Sequence, residues 1–232
     1  MTDRILCSII IPVLNEQDIL SKQLMSLQSL REAGHEVIVV DGGSHDASVT
    51  VATPCVDQII HSEKGRAKQM NKGASCASHD WLLFLHVDTQ LPASVMPSLQ
   101  KVFDEDFTSW GRFDVRLSGQ HVLYRTIAWF MNKRSRLTGI ATGDQAMFVK
   151  KSSFNAVGGF PDIPLMEDIS LSHRLKKTSA PVCLSEYVIT SSRRWRNNGI
   201  IRTILMMWSL RLAYFLGVSP VILAERYNRV SK

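Results

Sequence analysis

No Cys-x-x-Cys pair occurs among the four cysteines, Cys7, Cys55, Cys76 and Cys183, which lie far apart in the chain. That spacing excludes a zinc ribbon and a redox dithiol, and it implies a reducing compartment with mostly buried thiols. The sequence also lacks a Gly-x-x-x-x-Gly-Lys-Ser/Thr loop, and no glycine fingerprint for a dinucleotide follows its first apolar run. Asp3 and Arg4 precede only a short apolar stretch, Cys7 to Val13, without the longer run and small-residue cleavage site of a secretory signal. The expectation is a cytoplasmic protein. Near the other end, Arg202 and Arg211 cut a very apolar segment into uncharged runs of eight and thirteen residues. A membrane-spanning helix needs about 20 apolar residues, so neither run qualifies. Internal repeats and low-complexity linkers are absent too.

What is present is 232 residues with 45% apolar and 21% charged content, enough for one large α/β domain with or without a small appendage. The net charge of +6 is unevenly distributed. Residues 187–232 alone carry +7, with Glu225 their single acid, so the basicity belongs to the C-terminal segment. Nucleic acid is a poor match, because these cations cluster with an apolar tail rather than along a groove.

Cys7–Val13, Glu36–Val40, Asp57–His61 and Trp81–Val87 read as strands. Asp18–Arg31, Gly65–Ala77 and Ala93–Phe103 read as helices, and Asp46 is placed to cap a further short helix through Val51. This alternation implies parallel βαβ units with right-handed crossovers. Further on, Trp110–Leu117 alternates as a strand, with Arg112, Asp114 and Arg116 on one side. Val122–Arg136 reads as a helix, Gln145–Val149 as a strand, Glu167–Lys177 as a helix opening on two acids, and Val182–Ile189 as the last strand. Residues 200–232 form a tail of two short helices divided by Gly217 and Pro220, appended to a domain spanning 1–199. Two readings of that tail stand open. A basic, apolar segment with Trp208, Tyr214 and Tyr227 suits in-plane attachment to a membrane surface, or the helix pair packs on the domain.

Acidic residues recur at the ends of these elements, in Asp41-Gly42-Gly43-Ser44-His45-Asp46, His86-Val87-Asp88, Gly143-Asp144-Gln145 and Met166-Glu167-Asp168. Open α/β sheets bind ligands in the crevice beyond the carboxyl ends of their strands. Acids repeated there point to a metal and a polyanionic ligand. The first strand ends in Pro12-Val13-Leu14-Asn15-Glu16, leaving a polar pair at the mouth of the crevice.

Together the ordered segments resemble the inverting nucleotide-sugar glycosyltransferases of family 2, from Ile9 to about Trp195. They are Ile10 to Glu16, Val39 to Asp46, Gly65 to Ala74, Phe84 to Asp88, Gly158-Gly159-Phe160 and Glu167-Asp168. The Gly65-Arg66-Ala67-Lys68-Gln69-Met70-Asn71 and His86-Val87-Asp88 versions are most similar to a subgroup labelled selenodomain-associated transferase 2. The resemblance implies the GT-A, or nucleotide-diphospho-sugar transferase, fold: a mostly parallel twisted sheet flanked by helices. It implies a UDP- or GDP-sugar donor and a hydroxyl acceptor, lipid-linked in one reading, with the protein cytoplasmic or peripheral on the inner membrane face. It assigns Asp88 as ligand of a divalent cation, Mn²⁺ or Mg²⁺, which suits oxygen donors. Asp168 becomes the general base, with Glu167 beside it assisting. Pro12, Asn15, Glu16, Asp41, Arg66, Asn71, His86, Asp88, Arg193 and Arg194 fall to the nucleotide sugar, and Asp144 to the acceptor.

Three departures matter. His86 replaces the first acid of an Asp-x-Asp-like motif, leaving metal, ribose and purely structural roles open. Asp41-Gly42 has one acid where many relatives have two, so the choice between UDP and GDP is not set. Ser191 replaces the Gln of a Gln-x-x-Arg-Trp motif, which disfavours a processive synthase. A sugar-1-phosphate nucleotidyltransferase would need a Gly-rich, Arg-containing loop after the first strand, and Pro12 to Glu16 contains no glycine. A non-catalytic module that binds a membrane surface or a nucleotide sugar is the other alternative.

Overall fold

A computed structural model describes residues 5–92, 95–105 and 107–230. Its elements are β1 (Cys7–Val13), α1 (Gln17–Glu32), β2 (Glu36–Asp41), α2 (Ser48–Ala52), β3 (Gln58–His61), α3 (Arg66–Cys76), β4 (Trp81–Phe84), β5 (Thr89–Gln90) and α4 (Val95–Phe103). They are followed by β6 (Trp110–Leu117), α5 (Val122–Thr138), β7 (Met147–Lys150), α6 (Lys151–Ala156), α7 (Glu167–Leu175), β8 (Val182–Thr190), α8 (Arg193–Asn198), α9 (Ile200–Phe215) and α10 (Pro220–Val230). The expected helix start at Ala93 lies outside the described residues.

One sheet runs β3-β2-β1-β4-β7-β6-β8-β5. β1 pairs in parallel with both β2 and β4, and β2 with β3. Strands buried on both faces should be mostly apolar, and β1 and β2 are so over Ile9–Val13 and Val37–Val40. Their side chains alternate between two layers, as the period of 2 demands. Ile9 and Ile11 meet Leu20, Leu24 and Leu27 of α1, whereas Ile10 meets Ala67, Met70 and Ala74 of α3. Gly73 lets α3 lie close to the sheet: a Cβ there would fall 2.9 Å from Val40 Cγ2 and nearer still to Ile10.

The second half departs from simple parallel winding. β7 runs antiparallel to β4 and β6, while β6 and β8 are parallel. β4 ends at Phe84 rather than Val87, so His86 and Asp88 stand on irregular chain. Gln145 belongs to a single tight turn, Gly143–Gln145, and not to β7. The short helices α6 and α8 have too few residues for a periodic stripe to announce them. On β6, Arg112 is fully buried, paired with Asp114 and donating to the Asn132 carbonyl. All four cysteines are free thiols. Only Cys7 is fully buried, and burial pushes its thiol up to about 12; the other three are half-buried.

The tail packs on the domain along one side. Leu210 and Leu223 join Ile140, Met166 and Ile169 in a core cluster. Ile200 and Ile204 cover Leu117, Tyr124 and Ile127. Its other side leaves Trp208, Leu212 and Phe215 exposed. Among the described residues no helix is long and apolar enough to cross a membrane.

Candidate active site

The chain winds outward from β1 through β2 to β3, then returns to β1's other side with β4. The loops after β1 and β4 therefore diverge, opening a crevice beyond their carboxyl ends. Asn15 lies on one lip with φ 54, a left-handed conformation that its short polar side chain tolerates. Its Oδ1 accepts from His45 N–H at 2.8 Å and its own N–H donates to Ser44 Oγ at 2.9 Å, lacing the first two loops together. Asp41 is 2% exposed, and its carboxylate accepts from the Gly43 and Ser44 amides at 3.1 and 3.2 Å. Burial opposes its charge, but these donors outweigh it and hold the carboxyl below its ordinary range.

Glu16 faces Arg193 Nη2 at 3.8 Å. Burial raises its carboxyl, with Arg193 opposing and Asp88 adding to the rise. Asp88 is fixed from the far side of the sheet, where Ser191 N–H donates to its carbonyl at 3.1 Å. The link brings the β8–α8 junction, with Arg193 and Arg194, over the crevice.

Across from Asp88, a turn delivers Asp144. Thr142 and Gln145 cap each other reciprocally, and Ala146 adopts φ 45 to leave the turn. His86 Nδ1 stands 3.7 Å from Asp144 Oδ1. Gly143 lies flat against that imidazole, and a Cβ there would collide with the ring. Desolvation works against the Asp144 charge, yet His86, Arg194 and Arg66 hold its pKa at about 2. The Gly143 N–H donates to Asp168 Oδ2 at 2.8 Å, and Asp168 Oδ1 accepts from Ile169 N–H at 2.7 Å. Asp168 is thus locked at the N-terminus of α7, where the helix dipole favours a carboxylate. Met166, with φ 71, sets that helix start. Glu167 is buried 3.8 Å from Arg66 Nη1.

A cavity of about 680 Å³ opens here, lined by Asp88, Asp144, Arg193 and Arg194 from the sequence-predicted set. Glu16 reaches the lining residue Arg193, and Asp168 is held by Gly143, the chain neighbour of the lining residue Asp144. Pro12, Asn15, Asp41, Arg66, Asn71, His86 and Glu167 are not among its lining residues. Pro12 is paired within β1, and the Asn71 amide clamps the Phe160 backbone, donating at 2.8 Å and accepting at 2.9 Å. Two charged lining residues were not anticipated: Arg134 of α5 and Arg211 of α9. On the sequence, Arg134 reads as a helix-surface cation and Arg211 as an interruption of an apolar run. The available signal was a lone charge inside that run.

The family description "Glycosyl transferase family 2" matches residues 8–157. The undecaprenyl-phosphate 4-deoxy-4-formamido-L-arabinose transferase of Sodalis glossinidius is 28% identical over 162 residues, covering 62% of this chain and 47% of that protein. The protein of the same name from Yersinia enterocolitica is 29% identical over 156 residues, with the same coverage. The chain spans about half the length of the curated relatives it matches. Among solved structures, S. aureus TarS 1–349 superposes with TM-score 0.65 at 18% identity, covering 81% of this chain and 61% of that one. Mannosyltransferase PcManGT from Pyrobaculum calidifontis, in complex with GDP-Man and Mn²⁺, gives 0.62 at 19% identity, covering 95% and 64%. These likenesses show the expected GT-A fold.

Proposed function

Because this chain belongs to glycosyl transferase family 2, we propose that it transfers a sugar from a nucleoside diphosphate donor to a hydroxyl acceptor, with inversion at the anomeric carbon. Within the family, the Gly65–Asn71 and His86–Asp88 segments support a likeness to the selenodomain-associated transferase 2 subgroup. The observation that carries the reading is a single cavity lined by carboxylates and guanidinium groups beyond the end of β4, with Asp168 held by the Gly143 N–H next to the lining residue Asp144. Arg193 and Arg194 bind the donor's diphosphate, since guanidinium matches phosphate geometry. Asn15, Glu16, Asp41 and Arg66 shape the nucleotide end, and Asp144 faces the acceptor. Asp168 takes the acceptor proton as its oxygen attacks the face opposite the leaving diphosphate. Two backbone donors keep that carboxylate oriented, so little reorganisation is needed at the moment of transfer.

A divalent cation fits this donor set in one form only. Among the described residues, no three His, Cys, Asp or Glu side chains make a metal cage. Asp88 and Asp144 instead offer carboxylate oxygens to one cavity, and Mg²⁺-like ions are commonly held by one or two carboxylates plus substrate phosphates. Asp88, together with the donor's phosphates, would hold Mn²⁺ or Mg²⁺, which would supply neutralisation of the departing diphosphate. The relatives' name also supports a lipid-linked acceptor, met at an inner membrane surface through the exposed apolar side of α9.

The test is transfer from UDP- and GDP-sugars with Mn²⁺. Asp168→Asn should lower kcat by about 10²–10⁴-fold with donor affinity kept, and Asp88→Ala should remove the metal response. Full activity in either variant overturns the role assigned to it.

A further inference from the structure

Arg134 and Arg211 line the cavity from α5 and α9. Arg134 Nε and Nη2 and Arg211 Nε are shut off from solvent, with no hydrogen-bond partner among the described residues. The two guanidinium groups are close enough to repel. Burial and then the Arg211 charge depress Arg134 to about 10, and burial also lowers Arg211. Buried N–H donors left without a partner are destabilising, so a folded chain that turns two such guanidinium groups to one cavity is arranged for an anion.

Position separates this anion from the donor diphosphate. Arg193 answers Glu16 and lies beside Asp88, and the Arg194 guanidinium stacks 5.0 Å from the Tyr227 ring. The acid whose charge reaches both Arg134 and Arg211 is Asp168, the proposed base. The pair therefore stands on the acceptor side. The approach to it is apolar. Phe130 and Met131 lie one turn before Arg134 on α5, and Met207 and Trp208 one turn before Arg211 on α9, all lining the same cavity. Spacings of three and four residues put each group on one helix face. Phe130 and Trp208 are 57% and 65% exposed, so that wall continues onto the outer surface.

Resting on the transferase reading, we propose that Arg134 and Arg211 bind a phosphomonoester carried by an amphiphilic acceptor, whose hydrocarbon portion lies along Phe130 and Trp208. A two-charge oxyanion matches two adjacent guanidinium forks. The pair is a specificity-determining anchor for the acceptor, distinct from the donor site.

The experiment measures binding of dodecyl phosphate, inorganic phosphate and a neutral dodecyl glycoside to the full chain below micelle concentrations, by calorimetry. The same chain is titrated in parallel with UDP and GDP. Dodecyl phosphate should bind more tightly than either comparison probe. Arg134→Gln and Arg211→Gln should each weaken it by about ten- to a hundredfold while nucleotide affinity stays within about twofold. Since each substitution removes an unpaired buried charge, the ligand-free variants should melt no lower than wild type, which guards against misfolding. Unchanged dodecyl phosphate affinity in the double variant overturns the proposal, as does equal binding of the neutral glycoside. Inorganic phosphate binding as tightly as dodecyl phosphate, and with the same arginine dependence, overturns the amphiphile in favour of a soluble phosphate. Loss of nucleotide binding by wild type, with dodecyl phosphate binding retained, would instead count against the donor site.

Discussion

Glu167 occupies the first position of α7, 4% exposed, between Asp168 and Arg66. Burial raises its carboxyl and the neighbouring Asp168 raises it further, with Arg66 only partly opposing. A carboxyl whose pKa is higher folded than unfolded favours the folded state in its protonated form. That contribution is complete below the ordinary value near 4.5 and is lost as pH rises through the folded value. Glu167→Gln keeps the group neutral, so the variant should melt above wild type at pH 7, with the gap closing toward pH 4. Thermal melts across that range check it, and parallel wild-type and variant curves would contradict the assignment. At this scale the sequence was readable where chemistry and chain position coincide, as at Asp88, Asp144 and Asp168. It was opaque at Arg134 and Arg211, because their burial comes from a helix about 75 residues away meeting α5, which no local pattern records.

Among the elements, α10 tests how firmly the tail is built in. Leu223 is fully buried against Leu210, Ile140, Met166 and Ile169. Leu223→Ala should cost about 2–5 kcal/mol in denaturant unfolding, whereas Val221→Ala, 56% exposed, should cost little. Equal losses would mean that α10 is not packed as described. The strands and helices of the first half were legible because β1 and β2 carry unbroken apolar runs, Ile9–Val13 and Val37–Val40, and α1 carries a clean stripe of Leu20, Leu24 and Leu27. The antiparallel insertion of β7 was not legible. Four apolar residues look alike in either direction, and direction is decided by the path of α5 and the Gly143–Gln145 turn. Two short helices in the tail were expected from Gly217 and Pro220. That they wall the cavity could be learned only from their packing.

For the whole molecule, the charge distribution and the exposed apolar groups bear on the same surface. The segment from Tyr187 onward carries +7. Trp129 and Phe130 of α5 are exposed, as are Trp208, Leu212 and Phe215 of α9. Exposed apolar groups joined to a basic segment favour an anionic bilayer surface. Binding to vesicles containing an anionic phospholipid should be measurable by sedimentation and should weaken as NaCl rises from 0.05 to about 0.5 M, where screening shortens to a few ångström. Trp208→Ser should reduce it at every salt concentration. Vesicle binding indifferent to both salt and Trp208 would remove this surface from consideration.

Helix α9 turns Arg211 toward the cavity and Leu212 and Phe215 toward the outside. An α-helix with its side chains is about 10–12 Å across. A lipid resting against its outer flank is therefore separated from the cavity by about one helix diameter. Its headgroup could swing into the reaction chamber while its tail stays among other tails, so no hydrocarbon would have to be drawn through water for the sugar to be delivered.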